Sequence, residues 1–272
     1  MTKGHLEGLS EGHGRGVMTG LKGKRVVITG AGGGIGAALV KAFADEGAIV
    51  IGCDRTANTD EPISPDHLEV FDLLSPASIG KAAENIMARF GAPDCLINNA
   101  GWTRAELMED VTPQVIEREL QLNLAGVMQF TQGLLPGMVE RKVGSIVFIS
   151  SVNAVLHFGN PVYAAAKAGI EAFSRAIAVE YGAHGIRSNA IAPGSTRTHA
   201  WDHRLEAEPH LLPRVTRLYA LKRMVTPEEV ANAVVFLASP LSSGITGATL
   251  PVDAGATSGF IPFIDTVLKG LS

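Results

Sequence analysis

Residues Lys24–Ala48 read KRVVITGAGGGIGAALVKAFADEGA. The run KRVVIT predicts a buried β-strand, and it passes without a spacer into glycines at 30, 32, 33, 34 and 36, ahead of a helix. Glycine lacks a Cβ, so such a turn lets backbone approach a ligand closely, and the free N–H groups of the helix N-terminus suit a pyrophosphate. No Lys-Ser or Lys-Thr follows the glycines, which disfavours a P-loop nucleotide hydrolase. The spacing, T-G-x-x-x-G-x-G from Thr29 to Gly36, also departs from the longer G-x-G-x-x-G fingerprint. Taken alone, the turn fits a dinucleotide or the S-adenosylmethionine of a methyltransferase. Gly30, Gly33, Gly34, Ile35 and Gly36 are its candidate cofactor contacts.

Outward from this turn, strand-type and helix-type stretches alternate to the C-terminal region without a break in composition. That alternation predicts an α/β fold: a Rossmann-type, doubly wound parallel sheet of about seven strands with helices on both faces. At 272 residues the chain suits one domain, residues 21–272, better than two. The second strand, AIVIGCD, ends at Asp54, about twenty residues past the glycines, where a carboxylate can accept both hydroxyls of an adenosine ribose. A 2′-phosphate would meet its negative charge, so NAD is expected over NADP, with Arg55 next door as the opposing consideration. The third strand, within HLEVFDLLSP, brings Asp72 to its end, and a helix follows in ASIGKAAENIMARFG. The fourth, DCLINNAG, ends in Asn98–Gly101, a polar wall for an adenine ring or a tight turn capped by side chains. A long helix is expected from about residue 112 to 135, and Asn123 within it, an amide among apolar neighbours, needs a hydrogen-bonding reason to be there.

The strand-like SIVFIS delivers Ser151 to the carboxyl end of the sheet, where parallel α/β sheets place ligands. Twelve residues on, Tyr163 and Lys167 stand four apart in YAAAK, hence one helical turn apart on one face. A free phenol titrates near ~10; a fixed ammonium beside it favours the phenolate and would make a proton-transfer group. Read alone, YAAAK could equally be an alanine-rich helix with a surface lysine.

Hydrophobic residues at 46%, charged residues at 18% and 31 glycines suit a compact α/β enzyme with many tight turns. A net charge of −4 without a basic stripe argues against nucleic acid as a partner. No apolar run reaches the length of a membrane span. Residues 1–20 lack the apolar core of a signal peptide and read as a disordered tail, with Met18 an alternative start. Cys53 and Cys95 sit in strand-like runs, so buried free thiols and a reducing, cytoplasmic compartment are expected.

Together, TGAGGGIG at 29–36, NNAG at 98–101, Asn123, Ser151, YAAAK at 163–167 and PGSTRT at 193–198 resemble the short-chain dehydrogenase/reductase family in order and spacing, from about residue 21 to 255. The resemblance implies that Tyr163 is the general acid/base, that Lys167 lowers its pKa and binds the nicotinamide ribose, and that Ser151 holds the substrate oxygen. It implies that Asn123 positions a water in the proton relay. Pro193, Gly194, Thr196 and Thr198 match the family's nicotinamide and pyrophosphate contacts, and Asp72 with Leu73 its adenine contact. Asn99 and Gly101 join them as cofactor contacts, and Asp54 matches the NAD-preferring members. The implied activity is hydride transfer between a secondary alcohol or ketone and NAD. An NADPH-dependent ketoreductase and a non-catalytic dinucleotide sensor are the alternatives.

Residues 195–226, where the alternation lapses, correspond to the family's lid over the substrate. Asn153, His157 and Phe158, between Ser151 and Tyr163, can reach a substrate or merely pack their loop. His199 and His203 are four apart but lack a third ligand, so no metal is expected. The last strand, GATLPVD, leads to Ala254-Gly255, where Ala254 replaces a family glycine as a conservative change. The apolar end SGFIPFIDTVLKGLS and the small residues Ala164, Ala165, Ala168, Gly169 and Ala172 suit a homo-oligomer, commonly a tetramer in the family.

Overall fold

The computed structural model describes residues 19–57, 65–103, 107–208 and 210–270. The tail expected at the N-terminus, up to Met18, lies outside these residues. The strands are β1 (Arg25–Thr29), β2 (Ile49–Asp54), β3 (His67–Val70), β4 (Cys95–Asn98), β5 (Gly144–Ile149), β6 (Ile186–Pro193) and β7 (Thr249–Val252). The longer helices are α1 (Gly34–Asp45), α2 (Pro76–Phe90), α3 (Pro113–Leu120), α4 (Gly126–Arg141), α5 (Pro161–Tyr181), α6 (His199–Ala207), α7 (Leu211–Thr216) and α8 (Pro227–Ala238). The sheet runs β3-β2-β1-β4-β5-β6-β7 with every pairing parallel. This is the Rossmann-like doubly wound sheet that the alternation predicts. Strand order reverses between β1 and β4, the kind of point where such sheets open a crevice.

The central strands are apolar almost throughout because both faces are covered. Side chains alternate across the sheet, so neighbouring residues feed different cores. Val27, Leu96, Ile146 and Phe148 pack with Ile86 of α2, Phe130 of α4 and Ile170 of α5 on one face. Val26, Ile28, Ile97 and Val147 pack with Leu39 and Phe43 of α1 and Val234 of α8 on the other. Each large side chain so buried contributes about 2 kcal/mol.

The helix expected over residues 112–135 differs in detail. It starts on a Thr112 cap, whose hydroxyl accepts the Val115 N–H at 3.3 Å. At Leu120 it passes into a π-turn, Gln121–Ala125, and then continues as α4 to Arg141, past Pro136. The π-turn lies where the helix presses on the β3–α2 connection: a Cβ on Gly126 would stand 2.5 Å from the Leu73 carbonyl oxygen. It carries Asn123. The third strand stops at Val70, and Asp72 caps the following turn by accepting the Leu74 N–H at 2.9 Å. Among the described residues no helix is long and apolar enough to cross a membrane.

Candidate active site

A cleft of ≈ 1140 Å³ opens along the carboxyl edge of the sheet. This exceeds the usual ~300–1,000 Å³ of small-ligand sites and has room for a dinucleotide beside a small substrate. Gly30, Gly33, Gly34, Ile35, Gly36, Asp54, Asp72 and Leu73 line one end. Ser151, Asn153, Tyr163, Lys167, Pro193, Gly194 and Thr196 line the rest, with Asn99 and Gly101 between, and Thr198 stands close against Gly34, where a Cβ would lie 2.7 Å from its Cγ2. Residues far apart in sequence thus share one wall.

The glycine turn is built by close contact. Gly30 adopts φ +65°, and a Cβ there would lie 2.8 Å from the Ala100 Cα. A Cβ on Gly36 would lie 1.9 Å from the Gly30 carbonyl oxygen, so α1 can start here only on glycine. Thr29 Oγ1 accepts the N–H groups of Asn99 and Ala100, both at 3.0 Å. Asn99 Nδ2 donates to the carbonyls of Thr29 and Gly30, both at 3.0 Å. Of the two readings of NNAG, its amide therefore serves the capped turn. Asp54 accepts the Gly32 N–H at 2.8 Å and the Arg55 N–H at 2.7 Å. Among the described residues no side chain caps the N-terminus of α1, and Gly34, Ile35 and Gly36 of its first turn line the cleft, an arrangement that suits a pyrophosphate. This cradle fits a dinucleotide.

Tyr163 and Lys167 stand one turn apart on α5. Lys167 is buried, donates to the Ile149 carbonyl at 2.7 Å, and its Nζ lies 5.4 Å from the centre of the Tyr163 ring. The expectation that this ammonium depresses the phenol is not met: the net direction is upward. Burial pushes Tyr163 up to about 12, a hydrogen bond with Ser151 pulls it down, and the Glu119 carboxylate pushes it up again. Burial also pulls Lys167 down to about 8 against the opposing charge of Glu119. Enclosure weakens the very charge that was to activate the tyrosine.

Ser151, buried at the end of β5, accepts the Asn153 N–H at 3.2 Å. Asn123 is fully buried behind the wall. Its Oδ1 accepts the Trp102 N–H at 3.0 Å, and its Nδ2 donates to the Trp102 carbonyl at 2.9 Å and to Glu119 Oε2 at 3.0 Å. The amide thus has the hydrogen-bonding reason its setting demands, but these bonds tie it to the Trp102 backbone and to Glu119.

At the substrate end, Asn153 lines the cleft and donates to the Gly159 carbonyl at 2.9 Å. His157 does not line it: a 3-10 turn, Val152–Ala154, swings the following loop outward, leaving His157 exposed while Phe158 and Asn160 reach the wall. Trp102, Arg118, Trp201 and Tyr219 also line it and were not singled out from sequence. Trp102 and Tyr219 come from irregular segments, and Arg118 and Trp201, on α3 and α6, reach the cleft through contacts between distant segments that local spacing does not encode. The expected lid holds α6 and α7, and its ends are pinned by a parallel bridge between Thr196 and Val225. His203's side chain lies outside the described residues, and His199 Nδ1 stands 3.7 Å from Asp202 Oδ2. Among the described residues no three His, Cys, Asp or Glu side chains cluster to hold a metal. Cys53 and Cys95 are buried free thiols, both pushed up by burial. Ala254 is less conservative than expected: it adopts φ +50°, the left-handed region that glycine occupies without strain.

The fold and this wall define a Rossmann-type oxidoreductase, and comparison with known proteins agrees. A family model described as enoyl-(acyl carrier protein) reductase matches residues 30–257. An uncharacterized oxidoreductase of Schizosaccharomyces pombe is 39% identical over 246 residues, 88% of this chain and 93% of that protein. The 3-oxoacyl-[acyl-carrier-protein] reductase FabG of Thermotoga maritima is 36% identical over 251 residues, 86% of this chain and 98% of that one. Among solved structures, an oxidoreductase of the short-chain dehydrogenase/reductase family from Burkholderia thailandensis superposes with a TM-score of 0.80 at 32% identity, covering 92% of this chain and 99% of that one. The Thermoplasma acidophilum aldohexose dehydrogenase gives 0.81 at 30% identity, covering 89% and 96%. The chain belongs to the short-chain dehydrogenase/reductase family.

Proposed function

We propose that residues 21–272 form one dinucleotide-binding and catalytic unit, an NAD-dependent dehydrogenase that moves a hydride between a secondary alcohol or ketone and nicotinamide. The observation that carries this reading is that Ser151, Tyr163 and Lys167 share one cleft with a glycine turn closed by the Asp54 carboxylate. When bound, the nicotinamide supplies the hydride acceptor or donor. Gly30–Gly36 and the α1 N-terminus hold the pyrophosphate, and Asp54 takes the adenosine ribose, with Asp72 and Leu73 beside the adenine. Pro193, Gly194, Thr196 and Thr198 border the nicotinamide and the pyrophosphate, Thr198 beside Gly34, and Lys167 meets the nicotinamide ribose. Ser151 donates to the substrate oxygen, a contribution of about 3 kcal/mol where charge develops on that atom. Tyr163 Oη takes the alcohol proton during oxidation and returns it during reduction.

Arg55, next to Asp54, supports a second reading with NADP, as a ketoreductase. A non-catalytic sensor would have no use for the assembled Ser, Tyr and Lys. The exposed Phe260, Phe263, Val267 and Leu268, with exposed Ala165 and Ala168 on α5, support a homo-oligomer, in keeping with the family's tetramers. The buried free thiols support a reducing, cytoplasmic setting. The test is an initial-rate screen with NAD and NADP against secondary alcohols, polyols, aldohexoses and dihydrodiols, with 3-oxoacyl thioesters in the reducing direction. Turnover with NAD supports the proposal; NADP preference would transfer it to the ketoreductase reading.

A further inference from the structure

Glu119 lies on α3, one turn before Asn123, and is only 5% exposed. None of the roles assigned above employs it. Its Oε2 accepts Asn123 Nδ2 at 3.0 Å, and the same Nδ2 donates to the Glu119 backbone carbonyl at 3.1 Å. α3 packs against α5, the helix of Tyr163 and Lys167. The other end of the Asn123 amide converges with Lys167 on Gly101: a Cβ there would stand 3.0 Å from Asn123 Oδ1 and 3.2 Å from Lys167 Nζ. Asn123 is therefore the spacer between a buried carboxylate and a buried ammonium. Lys167 is 3% exposed, and the bond that anchors its Nζ goes to a neutral carbonyl. A charge so enclosed is costly unless an opposite charge stands nearby.

The geometry points to Glu119 as a positioning residue: the buried counter-charge that keeps Lys167 an ammonium and Tyr163 a phenol in the resting site. This rests on the reading of that pair as the acid/base machinery. Other charges are engaged elsewhere. Glu171, one turn beyond Lys167 on α5, accepts the Ser150 hydroxyl at 2.7 Å. Arg118 on α3 stands over the Trp102 ring, 5.9 Å from its centre. Asp54, Arg55 and Asp72 stand at the adenosine end.

The effect has a definite sign. Glu119 opposes the fall of Lys167 and adds to the rise of Tyr163. Removing its charge lets both groups release protons at lower pH, so both midpoints move in the acid direction. A merely structural loosening would let water reach Lys167 and move its midpoint the other way, up toward its ordinary value.

The experiment uses the full chain labelled with ¹³C at the lysine Cε, without cofactor or substrate, and follows the Lys167 resonance, identified by its absence in K167M, through pH. Wild type is expected to titrate near 8. In E119Q, which keeps an accepting oxygen but no charge, the midpoint should fall by about half a unit or more. In E119D, whose charge is drawn back by one methylene, it should fall by less. Coincident midpoints in wild type and E119Q would overturn the proposal. If E119Q gives no dispersed spectrum, E119D carries the test, and an unmoved midpoint there overturns it. Since turnover is not measured, failure of the dehydrogenase reading would appear in rate assays and leave this titration to stand or fall separately.

Discussion

The Asp54 carboxylate accepts the Gly32 N–H with one oxygen, at 2.8 Å, and the Arg55 N–H with the other, at 2.7 Å. The residue proposed to choose the cofactor therefore also closes the glycine turn, and substitutions at it can separate the two tasks. D54N keeps an acceptor for Gly32 but drops the charge. A charge-assisted bond exceeds a neutral one by about 1.4 kcal/mol, so NADH affinity should fall roughly tenfold. NADPH affinity should rise, since the repulsion of its 2′-phosphate is gone and Arg55 remains. D54A loosens the turn as well and should weaken both. Fluorescence titration with the two reduced cofactors gives the ratio, and an unchanged NADH/NADPH ratio in D54N would refute the selecting role.

Tyr163 carries the proton in the proposed reaction, so Y163F should lower kcat by about 10²–10⁴-fold while NADH binding stays within about twofold. The pH dependence has a sign in each direction. The phenol, held up to about 12, is already the acid that reduction needs at neutral pH. Reduction should therefore be flat at neutral pH and decline as pH rises through about 8, where Lys167 loses its charge. Oxidation needs the base form and should be favoured by rising pH up to the same region. A reduction rate that climbs through pH 8 would contradict the assignment.

The places of the glycine turn, Asp54 and the Tyr163–Lys167 pair are legible because they follow from local spacing: strand, turn and helix follow one another, and four residues make one turn. The sheet was legible because buried parallel strands leave apolar runs in an alternating series. The rest depended on contacts between distant segments. One helical turn of spacing puts Glu119 beside Asn123, but nothing in ERELQLN reveals that both are buried or that Lys167 lies across from them. The upward shift of Tyr163 follows from enclosure, which spacing does not encode. His157 and Phe158 are adjacent in a loop without periodicity, so only the folded path decides that Phe158 reaches the cleft.

Asp94, 8% exposed, ties together the starts of β1 and β4 and the end of α4. It accepts the Arg25 N–H at 2.9 Å and pairs with Arg141 Nη2 at 2.7 Å. Although burial raises its pKa, the Arg25 N–H and the Arg141 guanidinium outweigh this and hold the carboxyl below its ordinary value. A depressed carboxylate contributes stability that is present above its unfolded pKa and lost as pH falls through the folded one. D94N should cost about 2 kcal/mol at pH 7. Its deficit should shrink below about pH 4, where wild type loses the same contribution. Thermal melts of both proteins from pH 7 down to pH 3 measure this, and a deficit constant across the range would exclude the ion pair as its source.

Ala254 adopts φ +50° just before Gly255, at φ +80°, and its carbonyl accepts the Leu221 N–H at 3.1 Å. An alanine held left-handed costs roughly 1 kcal/mol, which A254G would relieve. Glycine also widens the unfolded ensemble, offsetting about 0.4–1 kcal/mol of that gain. The net should be small, a rise of no more than about 2 °C in Tm. A254V behaves differently, because a β-branched side chain fits this region worst and brings no compensating term. It should lower Tm by several degrees and disturb the Leu221 bond that anchors the segment following α7. Differential scanning calorimetry of the two variants separates the effects. If A254G melts well below wild type, the left-handed conformation at residue 254 is not a source of strain.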